Sequence, residues 1–190
     1  MQTTDGPRIE PLQPPYDEPT AAMLARWMPP GSGAEPLALF RTLAVHGQLA
    51  ERMRPLGAGI LGHGLVEPRL REVMIHRTCA LCGAEYEWGV HAVAFGRPLG
   101  LSEEQLASTV HGGSADPVWD EQERAVLMLA EELHREAAVS DELFARLAES
   151  LQPAQILELV VTSGWYHTIS YVIAAARVPL EGWAERFPPA

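Results

Sequence analysis

The chain reads as an all-α bundle of about seven helices. Three observations predict this. Apolar residues recur at three- and four-residue spacing along most of the sequence, almost nothing alternates with period two, and helix-starting and helix-stopping residues bracket the periodic runs. At 190 residues the chain is long enough for one full-sized core. No tandem repeat recurs at a fixed period.

Taken in order, residues 1–20 are rich in Pro and polar groups and predict an extended arm, lying over the domain or a neighbouring subunit, ahead of a single helical domain over 21–190. A short helix over Thr20–Trp27 is stopped by Met28-Pro29-Pro30-Gly31. Leu39, Phe40, Leu43, Leu49 and Met53 then give a helix over Leu37–Leu56. The glycines of GAGILGHG (57–64) follow no strand, so this stretch reads as a loop or helix end rather than a dinucleotide fingerprint. Pro68 opens the next helix, which ends near Cys82-Gly83 because glycine commonly follows a helix end. Another runs from Ala84 to Phe95 and is closed by Gly96-Arg97-Pro98. Ser102 to Gln105 is a capping box, Asp116-Pro117 opens a helix through His134, Ser140 caps one ending near Leu151, and Pro153 begins the last, to about Arg177. Val178–Phe187 predicts a docking tail anchored by Trp183 and Phe187.

Charge and composition exclude several function classes. A net charge of −11 argues against nucleic acid or an anionic membrane as partner. No membrane span or secretory leader is visible, which predicts a cytoplasmic protein. All 14 basic residues are arginine, so chemistry that needs a lysine amine, such as a Schiff base, is excluded. The two cysteines are three apart and cannot staple a secreted fold.

The chemistry concentrates in REVMIHRTCALCGAEYEWGVH (71–91). Glu72 and His76 stand four apart on one predicted helix, and Glu87 and His91 four apart on the next, so each pair shares a face. Antiparallel packing through the turn at Gly83 brings the four together. A carboxylate beside an imidazole raises its pKa and fixes its tautomer, which suits proton transfer near neutral pH. Cys79 and Cys82 fall in a helix's last turn, where the dipole disfavours a thiolate. They read as small buried residues, with a redox pair as the alternative. Arg77 can grip a carboxylate with its guanidinium fork or form a structural ion pair with Glu72 or Glu85. His63 precedes the motif helix and is placed to close over a substrate. His167, in an apolar helix, either lines the pocket or is a satisfied core histidine. Tyr86, Trp88 and Trp165 serve as core or as aromatic pocket wall. His46, His111 and His134 read as surface residues. Glu72/His76 and Glu87/His91 are spaced four apart, not the three of the Glu-x-x-His pairs in di-iron bundles, so no metal is expected on these four.

This segment resembles the carboxymuconolactone decarboxylase family, whose other branch is the alkylhydroperoxidase D type. In the peroxidase branch a Glu lies 12 positions before the first Cys of a CxxC, and a His four after the second. Here Glu72 and His91 match, but Ala84 and Glu87 occupy the cysteine positions. Tyr86-Glu87-Trp88-x-x-His91 resembles the decarboxylase-like branch. Leu39-Phe40-Arg41-Thr42-Leu43, Arg69-Leu70-Arg71-Glu72, Gly164-Trp165-Tyr166-His167 and Val178-Pro179-Leu180 extend the likeness over nearly the whole chain. His76 departs from it, standing where an aliphatic residue is expected.

The resemblance implies an alkylhydroperoxidase D-like bundle forming a homotrimer or homohexamer. It also implies a cofactor-independent lyase or isomerase acting on a small carboxylated or enolisable molecule. His91 is then the proton shuttle, Glu87 or Glu72 its orienting carboxylate, and Arg77 the anion anchor. His76 and Tyr86 are auxiliary donors, with Trp88, His63 and His167 as further substrate contacts. Two alternatives stand beside this reading. One is a thiol-dependent alkylhydroperoxidase or disulfide reductase using Cys79 and Cys82; the other is a binding protein without catalysis.

Overall fold

The computed structural model describes residues 6–29, 31 and 33–189; residues 1–5 of the arm and Pro30 of the first helix stop lie outside these. Among the described residues there are nine α-helices and no strand. They are α1 (Glu18–Trp27), α2 (Ala38–Leu43), α3 (Gly47–Gly62), α4 (Pro68–Leu81), α5 (Glu85–His91), α6 (Glu103–His111), α7 (Glu121–Glu136), α8 (Asp141–Ala148) and α9 (Pro153–Ala176).

Local chemistry explains most of the boundaries. Asp17 caps α1 through Thr20 N–H, and Glu67 caps α4 through Leu70 N–H with Pro68 in the first turn. Reciprocal capping boxes open α6 (Ser102/Gln105) and α7 (Asp120/Glu123), and Ser140 caps α8. Gly83, at φ +65°, turns the chain from α4 into α5, a conformation that costs glycine nothing.

Several predicted boundaries are corrected. The helix expected over Leu37–Leu56 is two: a 3₁₀ turn over Ala44–His46 separates α2 from α3, and His46 caps α3 with its own ring. α3 then continues past Pro55 to Gly62, so most of the glycine-rich stretch is helical. Asp116-Pro117 opens no helix, because the Asp116 carboxylate accepts from Ser108 Oγ on α6 (2.6 Å) and Asp120 does the capping. The helix after Gly83 is α-helical only to His91 and continues as a π-turn over Ala92–Gly96.

α4 is the axis of the bundle, packed on by α5, α6, α7 and α9. Leu70 to Cys79 are all buried although four of the ten are charged or imidazole groups. A helix so polar and so enclosed must satisfy its polar groups internally. Arg71 donates to the carbonyls of Ile60 and Leu61, while Arg77 donates to Glu131 on α7 and to Thr109 O on α6.

Both ends of the chain strap the bundle. Arg8 and Ile9 donate backbone bonds to Ala176 O at the end of α9, and Leu12 N–H bonds Arg41 O on α2. The tail beyond α9 lies across α5 at Gly89, where a Cβ would run into the Glu185 carbonyl. Phe187 packs edge-on against Trp88 at 5.5 Å, and Glu181 accepts from Tyr86 O–H and Ala38 N–H.

Candidate functional site

The functional groups predicted on α4 and α5 converge. His91 Nδ1 donates to Glu72 Oε2 at 2.8 Å, so a carboxylate from one helix orients an imidazole from the next. Nδ1 carries the hydrogen in that bond, which turns Nε2 outward. There it meets Tyr166 O–H of α9 at 3.1 Å and lies 3.6 Å from Glu87 Oε1. Glu72 is wholly buried and His91 nearly so. His76 stands behind the pair. Its Nδ1 donates to the Glu72 carbonyl at 2.8 Å, its ring lies edge-on to that of His91 at 6.2 Å, and its Nε2 is buried without a partner among the described residues.

Burial and charge sort the protons. Burial is the largest influence on Glu72 and would raise it, but the neighbouring His91, His76 and Arg71 outweigh that and hold the carboxyl below its usual range. For His91 burial likewise acts first, favouring the neutral ring. The charge and hydrogen bond of Glu72, with those of Glu87, overturn it and push the pKa up to about 9. His76 goes the other way, down to about 4, since burial and the His91 charge exceed the opposing pull of Glu72. Burial also lifts Tyr166 well above its ordinary value. At neutral pH the site therefore holds a Glu72 carboxylate, a His91 imidazolium, a neutral His76 and a neutral Tyr166 phenol.

Nε2 of His91 faces a cavity of about 450 Å³, a size that suits a small organic molecule. Its walls are mostly apolar, drawn from the end of α1, α2, α3, the α5–π segment, α9 and Trp183 of the tail. The polar groups on this surface include Glu87, His91, Tyr166, Arg26 and Arg54. Arg26 is paired with Glu51, whereas Arg54 Nε is buried and has no partner among the described residues. An unpaired guanidinium donor at a largely apolar wall is a ready anchor for a carboxylate or enolate oxygen.

Not every predicted residue joins this cavity. Glu87 and His91 line it, with Glu72 and His76 immediately behind. Arg77 is committed to Glu131 and Thr109 on the other side of α4 and is no anchor here. Tyr86 points to the tail, donating to Glu181 (2.7 Å) and accepting from Leu39 N–H. Trp88 is buried with its Nε1 on Thr109 Oγ1. His63, carried outward by the extension of α3, is exposed at that helix's end. His167 is half-buried beside His134, away from the cavity. Cys79 is fully buried and Cys82 half-buried; both thiols are free, neither lines the cavity, and burial raises the pKa of each.

Sequence reasoning missed Arg54 and the role of Tyr166. The signal for Tyr166 was present in Gly164-Trp165-Tyr166-His167, where helical phase sends 165, 166 and 169 to the cavity and turns 167 away. Arg54 has no comparable local signature.

No protein-family model matches the chain, and neither does any curated protein. Solved structures do. An uncharacterized peroxidase-related protein from Silicibacter sp. TM1040 aligns over 98% of this chain and 100% of that one, at 14% identity and a TM-score of 0.80. The debrominase Bmp8, as a cysteine-to-alanine form in complex with 2,3,4-tribromopyrrole, covers 96% of this chain and 94% of its own at 18% identity and TM-score 0.72. A protein of unknown function from Agrobacterium tumefaciens, provisionally assigned to AhpD-type antioxidant defence, covers 73% of this chain and 95% of that one at 22% identity and TM-score 0.66. At these identities the likeness establishes an alkylhydroperoxidase D-like helical fold.

Proposed function

From this fold and its histidine-lined cavity, we propose that the protein is a cofactor-independent lyase or isomerase of the carboxymuconolactone decarboxylase type. It carries out acid–base chemistry on a small carboxylated or enolisable molecule. The observation that carries the reading is the buried Glu72–His91 hydrogen bond of 2.8 Å, which leaves a protonated Nε2 at the cavity wall. Arg54 binds the substrate's carboxylate or the developing enolate oxygen. In a decarboxylation the carbon–carboxylate bond breaks, CO₂ departs, and the electron pair enters the conjugated system as an enolate. His91 Nε2–H then delivers its proton to carbon, and Glu87, beside Nε2, relays a replacement from solvent. In an isomerisation Glu87 removes the proton and His91 returns one elsewhere. Tyr166 hydrogen-bonds Nε2 between turnovers. The apolar walls favour an unsaturated or cyclic body, and the tribromopyrrole bound by the debrominase of the same fold supports a small ring.

Thiol-dependent peroxidase chemistry finds less support, because both sulfurs lie outside the cavity. We also propose a homo-oligomer, a trimer or hexamer. Leu157, Val161 and Tyr171 form an exposed apolar stripe on α9 that a second copy would cover.

The test incubates the protein in D₂O with small unsaturated and β-keto carboxylic acids, following deuterium entry at carbon by NMR and release of CO₂. His91→Gln is expected to lower turnover about 100-fold or more, while a Cys79→Ser/Cys82→Ser variant keeps it. Equal turnover in His91→Gln, or loss confined to the cysteine variant, overturns the reading.

A further inference from the structure

A second cluster lies outside the cavity, where three helices meet. Cys82 caps the end of α4, His134 sits in the last turn of α7, and His167 lies within α9. We propose that these three side chains bind a borderline-soft divalent ion of the Zn²⁺ class.

The donor atoms already face one another. Each residue offers one ligand atom, and all three lie within 4.8 Å of one another. His134 Nδ1 is 3.0 Å from His167 Nε2 and 3.9 Å from Cys82 Sγ. Tetrahedral zinc at usual bond lengths sets its nitrogens about 3.3 Å apart and a nitrogen and sulfur about 3.6 Å apart. Small side-chain rotations therefore seat the ion. His167 is already oriented as a ligand. Its Nδ1–H donates to the Ser163 carbonyl at 2.9 Å, which fixes the tautomer and leaves the Nε2 lone pair toward the cluster. A backbone carbonyl behind a ligating imidazole is the support such sites generally use. One thiolate and two imidazoles select zinc over the hard oxygen-seeking cations.

Without metal, the contact between the two imidazole nitrogens needs a shared proton, with His134 Nδ1–H donating to His167 Nε2. Ion binding replaces that proton. The His134 hydrogen moves through solvent to its own Nε2, Cys82 releases its thiol proton to solvent, and bonds form from the thiolate sulfur and both nitrogens to the ion. His134 is exposed, so an ion reaches the site without opening the core, and water can fill the fourth position. His134 also borders a surface cleft with Arg77, Ser114 and Glu131, so an exchangeable position there is open to small anions. The bound ion would clamp α4 to α7 and α9 close to, but apart from, the proton-transfer pair.

Chelator-stripped full-length protein is titrated with Co²⁺, read by the thiolate-to-cobalt charge-transfer absorption, and with Zn²⁺ against a chromophoric chelator. One ion per chain is expected, with the charge-transfer band present. Cys82→Ser should abolish the band, and His134→Ala and His167→Ala should each weaken Zn²⁺ binding at least about ten-fold. Cys79→Ser should bind as the unaltered protein does. His134 is exposed, so its variant keeps the fold, which circular dichroism verifies. A missing band in the unaltered protein, a band surviving in Cys82→Ser, or full Zn²⁺ affinity in His134→Ala overturns the proposal.

Discussion

Replacing Glu72 by Gln removes one charge from the centre of the site and leaves its shape nearly unchanged. The amide oxygen can still accept from His91 Nδ1, so the perturbation is electrostatic. In the unaltered protein His91 titrates at about 9, against an ordinary 6.5, although burial alone would take it downward. With the Glu72 charge gone, Glu87 is the remaining carboxylate lifting the ring, and the pKa falls toward 6.5 or below. A drop of that size corresponds to about 3 kcal/mol between the two protonation states and cuts the imidazolium fraction at about pH 7.5 from nearly all to about one-tenth.

The same linkage sets the stability profile. A raised histidine pKa contributes stability that is complete below 6.5 and lost as pH climbs through about 9. The lowered Glu72 contributes stability that is present above 4.5 and lost as pH falls through its folded-state value. His76, lowered to about 4, likewise contributes stability that is present above 6.5 and lost as pH falls through about 4. The unaltered protein should thus be most stable near pH 6.5, and Glu72→Gln should flatten the loss on the alkaline side. The assay is ¹⁵N-histidine NMR across pH, with urea unfolding at matching points. A His91 that titrates at 6.5 or lower in the unaltered protein, or one that stays near 9 in Glu72→Gln, refutes the reasoning.

Two further outcomes follow from the site and the tail. Arg54→Gln should weaken binding of small carboxylates in the cavity about ten-fold or more, while neutral analogues bind as before, by isothermal titration calorimetry; an equal loss for both ligand types would remove Arg54 as the anion anchor. Gly89→Ala places a methyl group against the Glu185 carbonyl and should lift the tail, costing about 1–3 kcal/mol in chemical denaturation and raising tail proteolysis, so a variant with unchanged stability and protease resistance counts against the strap.

Most of the scaffold was legible in the sequence because helix ends are local events. Pro68, Ser102 with Gln105, Ser140 and Pro153 all open helices where their chemistry says they should, and Gly83 makes the turn that brings α4 and α5 together. The turn at Ala44–His46 was not legible, because apolar periodicity runs straight through it. For the site, the i, i+4 spacings placed Glu72, His76, Glu87 and His91 in one neighbourhood, and the fold brings them there. Their substrate-facing companions depend on contacts across many residues. Arg77 is drawn off by Glu131, 54 positions away, and Tyr86 by Glu181, 95 away. Arg54 reaches the cavity from a helix that sequence spacing could not orient toward it, whereas Tyr166 follows Trp165 there by helical phase. The buried stretch of α4 shows why composition misleads here: its polarity suggests a solvated face, yet each charge has been taken inside with a counterpart.

The bond between His91 Nδ1 and Glu72 Oε2 spans two helices joined by a three-residue turn. A buried ionic link of this kind works as a registry pin. If α5 slid along α4 by a single turn, about 5.4 Å, the bond would break and the ring would revert to its neutral form. Helix alignment and proton occupancy thus vary together, and a misassembled bundle disarms its own reactive group.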